Sequence, residues 1–260
     1  MQLVDSHCHL DAGEFDTDRA GVIAAARASG VCQQVVPATH AEAWPGLRET
    51  CLSAPGLFPA YGLHPVFLDR HRDGDLQRLR DWLERERPVA VGECGLDYYI
   101  EDLDRDVQQH WFEGQLRLAR DFDLPVIVHA RHAVEAVIAT LRRIGGGALR
   151  GVVHSFSGSE EQARQLWKLG FLVGLGGPVT YERARRLRRL AASMPLEFLL
   201  LETDAPDQPD ADHRGQRNEP ARLVTVLQTV ARLRDADPAE IAVATTANAR
   251  RLFALPAAWT

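Results

Sequence analysis

Apolar residues recur along this chain in two alternating patterns: short continuous runs, and longer stretches with helical spacing. The short runs lie at 3–4, 33–37, 58–65, 89–93, 125–129, 151–154, 171–175 and 198–204. Each is of strand length and is bounded by turn-forming or polar residues. Between them the period changes. In 75–85, for example, Leu76, Leu79, Trp82 and Leu83 recur at i, i+3, i+4 spacing. Similar stretches at 16–28, 41–53, 104–122, 132–144, 159–169 and 181–192 predict further helices, and two more at 221–234 and 238–252 finish the chain. The punctuation agrees: Gly30 closes the first helix, Gly145-Gly146-Gly147 the fifth, and Ser159 stands three residues before Gln162 as a capping box.

Strands that are apolar on both faces and alternate with helices predict a parallel sheet covered by helices. Eight of them over this length predict one α/β domain spanning 1–260, a single (β/α)8 TIM barrel with its metal site at the carboxyl ends of the strands. A doubly wound open sheet is the alternative. It would carry a glycine-rich phosphate loop after strand one, where this chain has Asp5-Ser6-His7-Cys8-His9.

Composition narrows this only a little. Apolar content of 45% and charged content of 25% are ordinary for a globular chain. A net charge of −6 argues against a broad basic surface for duplex nucleic acid, though not against a few local phosphate contacts. No apolar run of transmembrane length and no basic leader segment appear, so no membrane partner is expected. The four cysteines form no CxxC pair and read as reduced thiols of a cytoplasmic protein. The only lysine is Lys168.

The strand ends change the picture most. His7 and His9 follow strand one, and side chains two apart on a strand converge on one face. His64, Glu93, His129, His154 and Asp204 end strands three, four, five, six and eight. All seven are metal-competent residues. Two ions fit this set: His7, His9, Glu93 and Asp204 on one, and Glu93, His129 and His154 on the other, with Glu93 bridging. Imidazole with carboxylate suits zinc best, with manganese, magnesium, nickel, cobalt or iron as alternatives. Two such ions acidify a water and polarise an electrophile, the equipment of a metal-assisted hydrolase.

Seven segments carry a family resemblance: Asp5-Ser6-His7-Cys8-His9-Leu10, Gly62-Leu63-His64-Pro65, Val91 to Tyr98, Leu124 to Arg131, His154 to Gly158, Leu201 to Pro206, and Arg217-Asn218-Glu219-Pro220. In this order the chain resembles the TatD family of metal-dependent deoxyribonucleases from residue 1 to about 253. The resemblance implies an amidohydrolase-like TIM barrel, two divalent metal ions on the ligands above, and hydrolysis of phosphodiester bonds, usually in DNA. Three features depart from the family pattern: Cys94 in place of isoleucine or threonine, His132 where many members have aspartate, and the loop 207–215.

In this reading Asp204 and Glu93 are the catalytic pair, with Asp204 orienting the attacking water and accepting its proton. His64 and Arg131 are expected to bind substrate phosphate, arginine through its bidentate fork. Glu202, two residues before Asp204, is grouped with them as support from below. The expected partner is DNA, through single-stranded ends, with no obligate protein partner. Rival readings are a lactonase, a phosphotriesterase, an aminoacyl-tRNA hydrolase and a non-enzymatic metal protein. Lysine-bridged versions of the barrel hydrolases do not fit, because strand four ends in Glu93.

Overall fold

The computed structural model describes residues 1–257. Its strands are β1 (Leu3–Asp5), β2 (Val31–Pro37), β3 (Leu57–Tyr61), β4 (Ala90–Asp97), β5 (Val126–Arg131), β6 (Gly151–Val153), β7 (Phe171–Leu175) and β8 (Leu199–Leu201). They follow one another across one sheet in chain order, and pairs such as β1–β2, β4–β5 and β7–β8 are parallel. The helices are α1 (Arg19–Ala28), α2 (Trp44–Leu52), α3 (Asp75–Glu86), α4 (Arg105–Asp121), α5 (Val134–Gly145), α6 (Glu160–Lys168), α7 (Arg185–Ser193), α8 (Leu223–Arg234) and α9 (Pro238–Phe253). This is the (β/α)8 TIM-barrel fold that the alternation predicts. None of the described helices is long and apolar enough to cross a membrane.

The chain forms two compact units. The first comprises Met1–Val36, Thr50–Phe58 and the described residues from Val173 onward; the second comprises Pro37–Glu49 and Pro59–Leu172. In the first, the segments that follow β1 and β8 meet in one seam. The Ser6 amide donates to the Leu201 carbonyl at 3.0 Å and the Asp204 amide to the His7 carbonyl at 2.9 Å. Helix α9 backs this seam: the Asn248 amide donates to the carbonyls of Leu196 at 2.6 Å and Leu199 at 2.9 Å. Val4, Val35, Leu200 and Leu201 are buried in this unit.

In the second unit, α4 does the positioning. Asp104 caps it, accepting from the Asp106 and Val107 amides. Gln108 and Gln115 lie two helical turns apart, on one buried face. Gln115 accepts from the Leu63 amide at 2.7 Å and donates to its carbonyl at 3.0 Å. Gln108 does the same for Asp97, at 2.7 and 2.9 Å. Two amide side chains thus satisfy backbone donors and acceptors of two strand-end segments.

Strands β4 and β5 differ from the expectation. The fourth strand does not stop at Glu93, nor the fifth at His129; pairing continues through Gly95↔His129, Leu96↔Ala130 and Asp97↔Arg131. Gly95 permits close strand contact: a Cβ at that position would lie 2.1 Å from the His129 carbonyl oxygen. The register also slips by one residue between Val91 and Cys94, a bulge that holds Glu93. Strand eight is shorter than expected, and His64 caps a 3-10 helix (Pro65–Arg70) rather than ending a strand.

Candidate metal centres

In the first unit, His7 and His9 lie just beyond the end of β1. Their Nε2 atoms are 3.2 Å apart. Asp204 Oδ1 lies 3.4 Å from His7 Nε2 and 3.7 Å from His9 Nε2. Ligands at about 2.0–2.1 Å around a tetrahedral ion stand about 3.3–3.4 Å apart, so these three atoms already span one face of such a tetrahedron. Asp204 Oδ2 instead accepts a hydrogen bond from the Gln208 side-chain amide. The two oxygens of this carboxylate therefore face different partners.

Asp5 holds the trio in place. It is fully buried and accepts from the His7 amide at 3.2 Å, the Thr203 amide at 3.0 Å and the Thr203 hydroxyl at 2.5 Å. Burial pushes its carboxyl up to about 7, against the three hydrogen bonds that favour the carboxylate. Glu202 is also buried. Its carboxylate fills the space above Gly174, where a Cβ would meet Oε2 at 2.0 Å. Glu202, expected among the substrate-binding residues as support from below, is 1% exposed and packs against Gly174.

In the second unit, one oxygen gathers three imidazoles. Glu93 Oε1 lies 2.9 Å from His64 Nε2, 3.0 Å from His129 Nδ1 and 2.7 Å from His154 Nε2. His129 Nδ1 and His154 Nε2 are 3.3 Å apart. The protons on two of these rings can be assigned from their second nitrogens. His64 Nδ1 accepts from the Val66 amide at 3.1 Å, so its Nε2 carries the proton and donates to Glu93. By distance His64 belongs with the metal-competent groups. By tautomer it is a donor that orients Glu93.

His129 is the reverse case. Its Nε2 lies 2.9 Å from Asp97 Oδ2 and so donates to it. That leaves Nδ1 of the neutral ring as a lone pair, facing a carboxylate oxygen at 3.0 Å. Two acceptors at that distance need a cation between them, either a second proton or a metal ion. Burial alone would lower the His129 pKa, but the Asp97 and Glu93 carboxylates more than reverse it and raise it. Asp97 is correspondingly held low: burial opposes ionisation and the His129 contact overrides it. A carboxylate behind a ligand histidine is the usual second partner at metal sites. The sequence expectation omitted Asp97. Its signal was present, as an aspartate four residues after Glu93 in the 91–98 segment.

Of the remaining expected residues, Arg131 ends β5 and is exposed; its guanidinium carbon sits 3.6 Å from the Tyr99 ring centroid. Arg217, from the Arg217-Asn218-Glu219-Pro220 segment, is engaged by Asp18 and Glu219.

The fold and these histidine–carboxylate sets define a metal-dependent hydrolase on a (β/α)8 barrel. A family profile described as "TatD related DNase" matches residues 4–254. The chain belongs to this TatD family. It is 40% identical over 257 residues to the metal-dependent hydrolase YjjV of Escherichia coli K12, covering 98% of this chain and 99% of the relative. The crystal structure of that protein superposes with a TM-score of 0.93 over 98% of each chain. The metal-dependent hydrolase YabD of Bacillus subtilis is 37% identical, covering 96% of this chain and 98% of its own length. A Cronobacter sakazakii protein named "3'-5' ssDNA/RNA exonuclease TatD" is 36% identical, covering 96% and 97%.

Proposed function

We propose that this enzyme is a TatD-type nuclease that hydrolyses phosphodiester bonds at single-stranded DNA ends. One divalent ion would be held by His7, His9 and Asp204, and a second by Glu93, His129 and His154; zinc suits this donor set best. The observation that carries the reading is the lone pair of His129 Nδ1 aimed at Glu93 Oε1, an arrangement that calls for a cation. The relative named as a single-stranded exonuclease supports the choice of substrate. Bound divalent ions supply Lewis acidity toward water and toward a phosphoryl oxygen.

The chain's own groups do the rest. Asp204 receives the proton of the attacking water at Oδ2, the oxygen that Gln208 orients. His64 keeps its Nε2 proton on Glu93 and so holds that carboxylate as an anion. Arg131 offers its guanidinium edge to a phosphate oxygen.

The test is a substrate panel run on metal-reconstituted protein: single-stranded DNA, a lactone, a phosphotriester and an aminoacyl-tRNA. The expected result is cleavage of the DNA, with losses of at least about a thousandfold in Glu93→Ala and Asp204→Ala at unchanged circular dichroism. Turnover of another ester with no phosphodiester cleavage under any metal would overturn the reading.

A further inference from the structure

Tyr99 is the one aromatic among the large apolar side chains that the described surface leaves exposed, at 53%. It lies two residues past Asp97, and Arg131 lies two residues past His129. The two side chains meet: the Arg131 guanidinium lies over the Tyr99 ring at 3.6 Å. The exposed His132 completes the group, with its ring 5.2 Å from that of Tyr99 and nearly perpendicular at 89°.

This cluster is wired to the candidate metal ligands through one carboxylate. Asp97 Oδ2 holds His129, while Asp97 Oδ1 accepts from the Tyr99 amide at 2.9 Å and the Ile100 amide at 3.2 Å. The Tyr98 amide donates to the Arg131 carbonyl at 2.9 Å. The backbone under both Tyr99 and Arg131 is therefore fixed relative to His129. An exposed, preorganised π-surface at this point suits a flat, polarisable group.

We infer that Tyr99, Arg131 and His132 form a stacking platform for a nucleobase of the substrate, adjoining the phosphate to be cleaved. The inference rests on the nuclease reading above. The chemistry is that of single-strand recognition, in which unstacked bases pack on aromatic rings and guanidinium planes. A flat guanidinium keeps its N–H edge available for phosphate while its outer face, backed by the tyrosine ring, takes the base. The Arg131 role expected from sequence, phosphate alone, then becomes a double one.

The experiment compares two single-stranded decathymidylates, one complete and one whose last two nucleotides at each end are abasic. Both are given to metal-reconstituted wild type, Tyr99→Ala and Tyr99→Phe. Wild type should favour the complete strand by about tenfold in kcat/KM, the scale of one base–aromatic stack. Tyr99→Ala should lose most of that preference and Tyr99→Phe should keep it. Equal preference in wild type and Tyr99→Ala, or none in wild type, would overturn the platform while leaving the nuclease reading intact. If wild type cleaves neither strand, the nuclease reading falls, and fluorescence anisotropy with the complete strand decides the platform. An affinity about tenfold weaker in Tyr99→Ala supports it; an unchanged affinity overturns it.

Discussion

At the scale of single residues, two buried aspartates outside the ligand sets, Asp97 and Asp5, carry much of the argument. Asp97 fixes the His129 tautomer, so that Nδ1 rather than Nε2 faces Glu93. Asp97→Ala is expected to weaken metal binding about ten- to a hundredfold, read by competition with a chelating dye, because the ring loses its outer anchor. Asp5 works through the backbone of His7 and Thr203. Its folded pKa, about 7, lies above its ordinary value of 3.8. Its contribution to stability is therefore whole below pH 4 and is lost as pH rises toward 7. Between those values Asp5→Asn should flatten the decline in thermal midpoint relative to wild type, with an effect on the order of a few kcal/mol. Parallel pH profiles for the two proteins would refute that assignment.

At the scale of elements, β4 shows how backbone decides side-chain direction. Strict alternation along a strand places neighbouring side chains on opposite faces. The bulge between Val91 and Cys94 shifts that count locally and determines which way Glu93 points. Gly95 then lets β4 run close beside His129. Gly95→Ala is expected to lower the thermal midpoint clearly and to reduce metal affinity with it. The added methyl must displace the His129 backbone, which bears a candidate ligand ring, and the residue sits at φ +140°. Intact metal affinity in a destabilised Gly95→Ala protein would show that the strand spacing and the site are independent. Helix α4 makes the complementary contribution, since its two buried glutamines hold the segments that lead into His64 and out of Asp97.

At the scale of the whole molecule, bound metal and fold stability should be linked. Each set gathers imidazoles and carboxylates at 2.7–3.7 Å, so a bound cation would be held by several groups at once and only in the folded chain. Chelation is expected to lower the thermal midpoint by several degrees, and zinc to restore it, since ligand at a hundred times Kd adds about 2.7 kcal/mol. A midpoint indifferent to chelator and zinc would mean that these residues bind no ion.

The strand–helix alternation, and hence the barrel class, was legible in the sequence because burial on both faces leaves a periodic signature that needs no knowledge of distant contacts. His7, His9, His64, His129, His154 and Asp204 stood out because each follows an apolar run. Their roles did not. That His64 is a hydrogen-bond donor depends on the local cap by the Val66 amide, that Glu202 is buried against Gly174 depends on packing, and that His129 turns its Nδ1 inward with Asp97 behind it depends on a hydrogen bond between strands. The sequence determined which residue types arrive at the strand ends. Only the tertiary structure decided which atom of each one faces which partner, because a bulge, a tautomer and a glycine contact are set by neighbours that local periodicity does not record.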